Sequence, residues 1–314
     1  MISTRRLVHT IFLLLLPLIV AWFGLSVWSA LLLVIAALLW RWLVAFSGLV
    51  MPAKQPSIVL ETISTSHFAE KARWCMDRLG IDYTENHCGG ILGVVFTGRT
   101  VPRLNFQTGK VRSSIGHSPE ILRFLWGEYG SQLGETARFL ETSAERLALE
   151  KTIDRYGVDL QVWVYYHLLP HKELTLHVWG ANHPQVPWWQ RLLLHPMYPL
   201  SAAFVRRTFS ITDAHYAKAV QHIDERLGDI DTRVADGRKS ILGGDEINYV
   251  DITFAALSGL WLQPDNYGGG QAAESRVTRE QFPAAMRADV ERWIEDYPRA
   301  IALIERMYTE ERLS

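Results

Sequence analysis

Ser57-Ile58-Val59-Leu60-Glu61-Thr62, then Ser64-Thr65-Ser66-His67-Phe68 and Lys71-Ala72-Arg73-Trp74-Cys75-Met76, closed by Gly80, is the stretch that decides the fold. The first six residues are an apolar run of strand length. Phe68, Ala72, Cys75, Met76 and Leu79 then recur with helical spacing, and Gly80 stops the helix. A strand feeding directly into a helix is the start of an α/β unit. Downstream, Ile81–Asn86 reads as a second strand, and the Gly-rich stretch 89–98 shows no clear period. Thr100–Asn105 and Lys110–Ser113 read as a hairpin turned at Thr108-Gly109. Ser118-Pro119-Glu120 is a helix start with a hydroxyl cap, a proline at the first position and an acid in the first turn. Ile121, Leu122, Leu125 and Trp126 form its buried stripe. The order predicts a compact α/β sheet unit.

Beyond Gly134 the pattern turns helical. Ser143–Leu169 and Asp213–Val234 carry periodic apolar faces, and Pro170–Pro199 between them, with Trp179, Trp188 and Trp189, reads as irregular. Leu242-Gly243-Gly244-Asp245 turns into Asn248-Tyr249-Val250-Asp251, a capping box with Ile247 and Ile252 placed for a hydrophobic staple. Asp251 is thereby explained as a structural residue. Trp293 and Tyr297-Pro298 mark closing helices.

The N-terminus differs from all of this. Net charge over the 314 residues is −1, yet residues 1–50 carry only Arg5, Arg6 and Arg41 and no acid. The uncharged run from Leu7 to Trp40 would extend about 51 Å as a helix, against a hydrocarbon core of about 30 Å. Phe23-Gly24-Leu25-Ser26 supplies a break, which predicts a transmembrane hairpin of about 7–23 and 26–46 within an anchor spanning 1–53. Arginines at both ends place both ends in the cytoplasm, with the soluble part facing it. A single tilted span remains open as the alternative, and would put the remainder in the other compartment. The apolar run is too long for a signal peptide. The rest of the chain divides into 57–130 and 135–314.

The near-neutral charge and a sequence pI of about 6.8 argue against nucleic acid as a partner. Cys75 and Cys88 are the only cysteines, too few for a disulfide scaffold or zinc knuckle and wrongly spaced for a redox pair. His167 and His171 have helical spacing, but Pro170 intervenes and no metal motif accompanies them, so no metal is expected.

Four landmarks in order give residues 57–314 a resemblance to the cytosolic glutathione S-transferase family. They are Ser66-His67-Phe68 with Lys71-Ala72-Arg73-Trp74; Thr100-Val101-Pro102-Arg103-Leu104; Gly116-His117-Ser118-Pro119-Glu120-Ile121-Leu122; and Gly244-Asp245 with Asn248-Tyr249-Val250-Asp251-Ile252. The resemblance implies an α/β thioredoxin-like domain (57–130), then an all-α glutathione transferase C-terminal domain (135–314). It also implies glutathione as co-substrate and a cis bond before Pro102. In such a site Ser66 would activate the thiol, although Ser64, Thr65 or Ser66 could equally cap the helix, or do both. Val101 and Pro102 would present main chain to the peptide, and Ser118 would hold the γ-glutamyl carboxylate or act as an ordinary cap. Arg99 is a candidate for the glycyl carboxylate.

His117 is a further glutathione-binding candidate that departs from the family, which usually has Glu or Asp there to engage the peptide's amino group; a neutral histidine can accept one hydrogen bond but gives no fixed negative charge. The Gly-rich stretch 89–98 stands where the family often has a helix. Trp163, Tyr165, Tyr166 and Trp179 would wall a site for a hydrophobic small molecule. The function implied is a membrane-anchored glutathione transferase-like enzyme that conjugates or reduces hydrophobic electrophiles, with the lipid bilayer as a partner. A homodimer is also admitted. The alternative is a non-catalytic binding or scaffold protein on the same fold; a channel-like protein ranks last, because the hairpin lacks polar pore-lining residues.

Overall fold

The computed structural model describes residues 22, 24, 26–50, 53–97 and 101–312. Contacts group residues up to 57 with 106–113, and 58–105 with 114–314. The first unit holds helix α1 (Val27–Val50), the start of strand β1 (Ala53–Thr62) and the tip of a hairpin formed by β3 (Arg103–Gly109) and β4 (Val111–Gly116). Among the described residues no helix is long and apolar enough to cross a membrane. That finding overturns the expected membrane-anchored localisation with a cytoplasm-facing remainder, and it gives no support to the expected transmembrane hairpin. The expected span 7–23 lies outside the described residues.

The second unit carries the rest of the strands and the remaining helices. The four strands run in the order β2-β1-β3-β4, where β2 is Thr84–His87. β1 and β2 are parallel, with Val59 opposite Thr84 and Thr62 opposite His87. Between them helix α2 (His67–Arg78) makes the crossover that parallel pairing requires. Ser66 caps it by accepting from Ala69 N at 3.3 Å, and Gly80, at φ 65°, takes the left-handed turn after its end. β3 and β4 turn at Gly109-Lys110 (Gly109 φ 56°), one residue later than the Thr108-Gly109 that the sequence suggests.

Two stretches without a legible period are helices. α3 is Gly90–Thr97, and α7 is Trp188–Thr208 with Pro196 and Pro199 inside it. In α3 nearly every position is apolar, so no stripe can stand out against a polar face. In α7 each proline should cost about 3 kcal/mol in a helix interior. Leu194, Tyr198, Ser201 and Val205 nevertheless recur inward, and the Tyr198 hydroxyl donates to the Leu169 carbonyl at 2.6 Å. Burial of that face outweighs propensity.

The remaining helices are α4 (Ser118–Leu133), α5 (Ala144–Leu168), α6 (Lys172–Val178), α8 (Asp213–Arg233), α9 (Tyr249–Leu262), α10 (Ala284–Asp296) and α11 (Pro298–Arg306). A thioredoxin-like sheet followed by helices is thus the fold. α9 is apolar around its whole circumference and buried along its whole length, so it is the central post of the core. The expected capping box is present: Asn248 Oδ1 accepts from Val250 N at 2.9 Å, and Asp251 Oδ2 accepts from Asn248 N at 2.8 Å. α2, α5 and α9 meet at Gly157, where a Cβ would come within 2.9 Å of Leu257 and 3.0 Å of Phe68. His67 Nε2 donates to the Gly157 carbonyl at 2.9 Å, which ties the start of α2 to α5. This close approach positions the site.

Candidate functional site

A cavity of about 480 Å³ opens where α2, α3, α4 and α5 converge. One wall is Val101, Pro102, His117, Ser118 and Pro119. The opposite wall is Asp154, Val158, Gln161 and Tyr165, with Phe68, Ile91, Val94 and Phe209 completing an apolar floor. Asp154, Val158, Gln161 and Tyr165 stand at helical spacing, so they are one face of α5. Tyr165 stacks on Phe209 with ring centroids 5.6 Å apart.

The structure therefore brings four of the residues singled out from sequence, Val101, Pro102, His117 and Ser118, to one cavity. The Val101–Pro102 bond is cis. Ser118 was expected as a cap, and is not one. His117 occupies the cap position, at φ 65° and ψ 130°, and makes no side-chain cap bond. Ser118 lies one residue inside the helix, 2% exposed, and its Oγ finds no partner among the described residues. A histidine in that region of backbone space costs on the order of 1–3 kcal/mol, and such strain persists where the surroundings over-determine it. The same first turn of α4 presents main-chain amides and the positive end of a 16-residue helix.

Ser66 is elsewhere in the same neighbourhood. It caps α2 and is not among the cavity-lining residues, although Ile63 and Phe68 on either side of it are. Its hydroxyl accepts from Ala69 N and keeps its own hydrogen to donate. Thr65 is not an alternative activator, because its hydroxyl donates to the Val178 carbonyl at 3.0 Å. Ser64 Oγ is buried without a partner among the described residues. Arg99 lies outside the described residues.

Behind the cavity runs a buried chain of charge. Lys71, fully buried, donates to Glu150 at 2.8 Å and to Asp154 at 2.9 Å, and Arg123 reaches Glu150 at 2.8 Å. Burial pushes the Asp154 carboxyl above its usual range, with Lys71 pulling the other way. A second buried set fixes α2: Glu70 takes Arg73 at 2.8 Å and Arg312 at 2.8 Å, and Arg73 also pairs with Glu85. Thus Lys71 and Arg73 of the sequence landmark are internal braces. Burial drives the Cys75 thiol up to about 12, so it is no nucleophile. Among the described residues no group of three or more His, Cys, Asp or Glu side chains is arranged to hold a metal.

Of the aromatics expected to wall the site, only Tyr165 does. Trp163 and Trp179 are core residues, Trp163 donating to Asp289 at 2.8 Å, and Tyr166 donates to Asp213 at 2.9 Å away from the cavity. The helix expected to be missing from 89–98 is α3, and it supplies Ile91 and Val94. Sequence reading missed Asp154, Gln161, Phe68 and Phe209. The signal for the first two was the second face of α5, Asp154-Val158-Gln161-Tyr165, overshadowed by its stronger core stripe.

No protein-family model and no curated protein matches the chain. Solved structures do resemble it. One is a glutathione S-transferase from Methylobacterium radiotolerans in complex with glutathione sulfonate: identity 15%, 81% of this chain and 91% of that chain, TM-score 0.49. Another is rice GST1 in complex with glutathione: identity 13%, coverage 82% and 92%, TM-score 0.44. A third is a glutathione transferase family member from Pseudomonas fluorescens with two glutathione bound: identity 15%, coverage 79% and 92%, TM-score 0.40. At these identities and scores the likenesses assign no family by themselves. The fold rests on its own sheet order and helices.

Proposed function

We propose that the chain binds glutathione in the cavity beside α4 and acts as a glutathione transferase-like enzyme on apolar electrophiles. The observation that carries the reading is the orphan Ser118 hydroxyl at the strained start of α4, on a residue that lines a cavity whose other walls are largely apolar. The γ-glutamyl carboxylate would take that hydroxyl and the free amides of the first turn. Val101 would pair its main chain with the peptide as an added strand. The thiol then falls toward the start of α2. There the Ser66 hydroxyl and the positive helix end favour the thiolate over a thiol of ordinary pKa, about 8.5. The thiolate attacks the electrophilic carbon of a substrate held against Phe68, Tyr165 and Phe209, the carbon–sulfur bond forms, and the leaving group departs with the electron pair.

One observation favours the non-catalytic alternative: Ser66 already serves as a helix cap and is not part of the cavity lining. A pH–rate profile with an aromatic electrophile separates the two. For the enzyme, Ser66→Ala should raise the kinetic pKa of the thiol by roughly one to two units, since a donor to an anion is worth about 1.5–3 kcal/mol. Glutathione affinity should change little. Glutathione binding without turnover in the wild type would leave a binding protein.

A further inference from the structure

α7 is apolar around most of its circumference, yet only one side of it is packed. Its inward face, with Leu194, Tyr198 and Val205, clusters with Leu92 of α3 and Leu176 of α6. The outward face repeats every four residues: Trp188, Leu192, Pro196, Leu200 and Phe204. The large side chains of this stripe are 50–70% exposed. At 1.5 Å per residue the stripe is about 24 Å long. α9 is apolar all round as well, but it is buried along its whole length, as such helices are. A large exposed apolar patch marks a surface that meets a counterpart. The charge around the stripe identifies it. From Leu174 to Thr212 the chain has no acidic residue, and α7 carries Arg191, Arg206 and Arg207. None of the three guanidinium groups pairs with a carboxylate among the described residues. A second copy packed face to face would bring these arginines together with no acid to answer them, which opposes association. An anionic lipid surface answers both halves of the pattern. Acyl chains take the stripe, headgroups take the arginines, and Trp188 suits the boundary between them.

We propose that α7 lies flat on an anionic lipid surface, with the stripe from Trp188 to Phe204 sunk to the headgroup boundary and the arginines against the phosphates. Such a helix enters only about 5–10 Å and spans nothing, so it needs no helix long enough to cross. Docking does not depend on the glutathione reading. It bears on that reading because Phe209, the residue at the end of α7, also lines the candidate cavity. An apolar electrophile dissolved in lipid would be met beside that cavity.

The test reads the helix itself, because residues 1–50 are rich in apolar side chains as well. Cys75 and Cys88 are buried, so Leu200→Cys in the full chain takes an environment-sensitive dye selectively. The same dye on Ala302→Cys, an exposed position of α11, is the control. Vesicles of equal parts phosphatidylcholine and phosphatidylglycerol should brighten the dye at position 200, and nitroxide-bearing acyl chains should quench it. The dye at position 302 should do neither. Adding Arg206→Gln and Arg207→Gln should raise the half-saturating lipid concentration roughly 10–30-fold, since each arginine near an anionic surface contributes about fivefold. Adding Phe204→Glu should abolish the response. Phe204 is half exposed, so the urea unfolding midpoint should hold in that variant. Brightening of both dyes alike, or of neither, overturns the docking of α7, even where the chain as a whole sediments with vesicles. A response that ignores the arginines overturns the anionic surface as the counterpart. Brightening on concentrating the protein without vesicles assigns the face to a second copy and overturns the proposal.

Discussion

Two helices in this molecule begin next to the same kind of polar residue and end up in opposite states. At the start of α9 every polar group is closed on its own turn: Asp251 accepts from Asn248 N at 2.8 Å, Ile241 N at 2.7 Å and Ser240 Oγ at 2.8 Å. Ile247 and Ile252 are buried beside it as the staple requires. At the start of α4 the side chains close nothing. His117 makes no side-chain cap bond, its backbone is strained, and the Ser118 hydroxyl is buried without a partner among the described residues. The first start is satisfied by the protein alone. The second is built as if a ligand completes it. Buried polar groups are satisfied in the great majority of cases, so an orphan beside a cavity is where function is sought.

The sharpest way to break this contrast is Asp251→Ala. It strips the acceptor from three buried donors at once, and should lower stability by about 3–5 kcal/mol, read from urea unfolding midpoints. A loss under about 1 kcal/mol would mean that the turn is held by the staple and not by the carboxylate. In that case the closed start would not differ from the open one in the way claimed.

α2 lies between the two cases, and its test is pH. His67, buried at the first helical position, donates to the Gly157 carbonyl, and desolvation lowers its pKa from 6.5 to about 4. The unfolded chain protonates this histidine below 6.5, whereas the folded chain resists until about 4. Stability from His67 is thus complete above 6.5 and is lost as the pH falls through that window, by about 3 kcal/mol in all. His67→Pro should flatten the slope. Proline is tolerated at a first helical position, and Ser66 before it, at φ −69° and ψ 120°, already has the extended backbone that a following proline demands. An unchanged slope between pH 6.5 and 4 in this variant would move the acid sensitivity to another group.

The sequence made the closed start legible and hid the open one. Asn248 and Asp251 are three residues apart, so the box is a local pattern, and a local pattern survives in one dimension. Ser118 was read as a cap because Ser-Pro-Glu is a common helix opening. Only the backbone at His117, set by tertiary packing, shifts the cap by one residue and frees the hydroxyl. Val101 and Pro102 were found through motif resemblance, whereas Asp154 required knowing which face of α5 turns toward the cavity. α3 and α7 were hidden for different reasons, the first by being apolar all round and the second by prolines that burial overrides. The N-terminal run is uncharged, yet among the described residues no helix is long and apolar enough to cross a membrane, so uncharged composition alone does not make a span.

The finest test falls on Ser118 itself. If its hydroxyl capped the helix, Ser118→Ala would cost about 1 kcal/mol, as cap removals do. If the hydroxyl waits for a ligand, the same change deletes a buried group that nothing in the protein satisfies. Alanine suits the first helical position, and the lost group leaves no partner stranded. Stability should therefore hold within about 0.5 kcal/mol, or rise slightly. Glutathione affinity should meanwhile fall roughly tenfold, the worth of one hydrogen bond to a carboxylate. Both are read on one preparation, by urea unfolding and by calorimetric titration. A variant that loses stability and keeps its affinity would reverse the assignment and make the start of α4 one more structural cap.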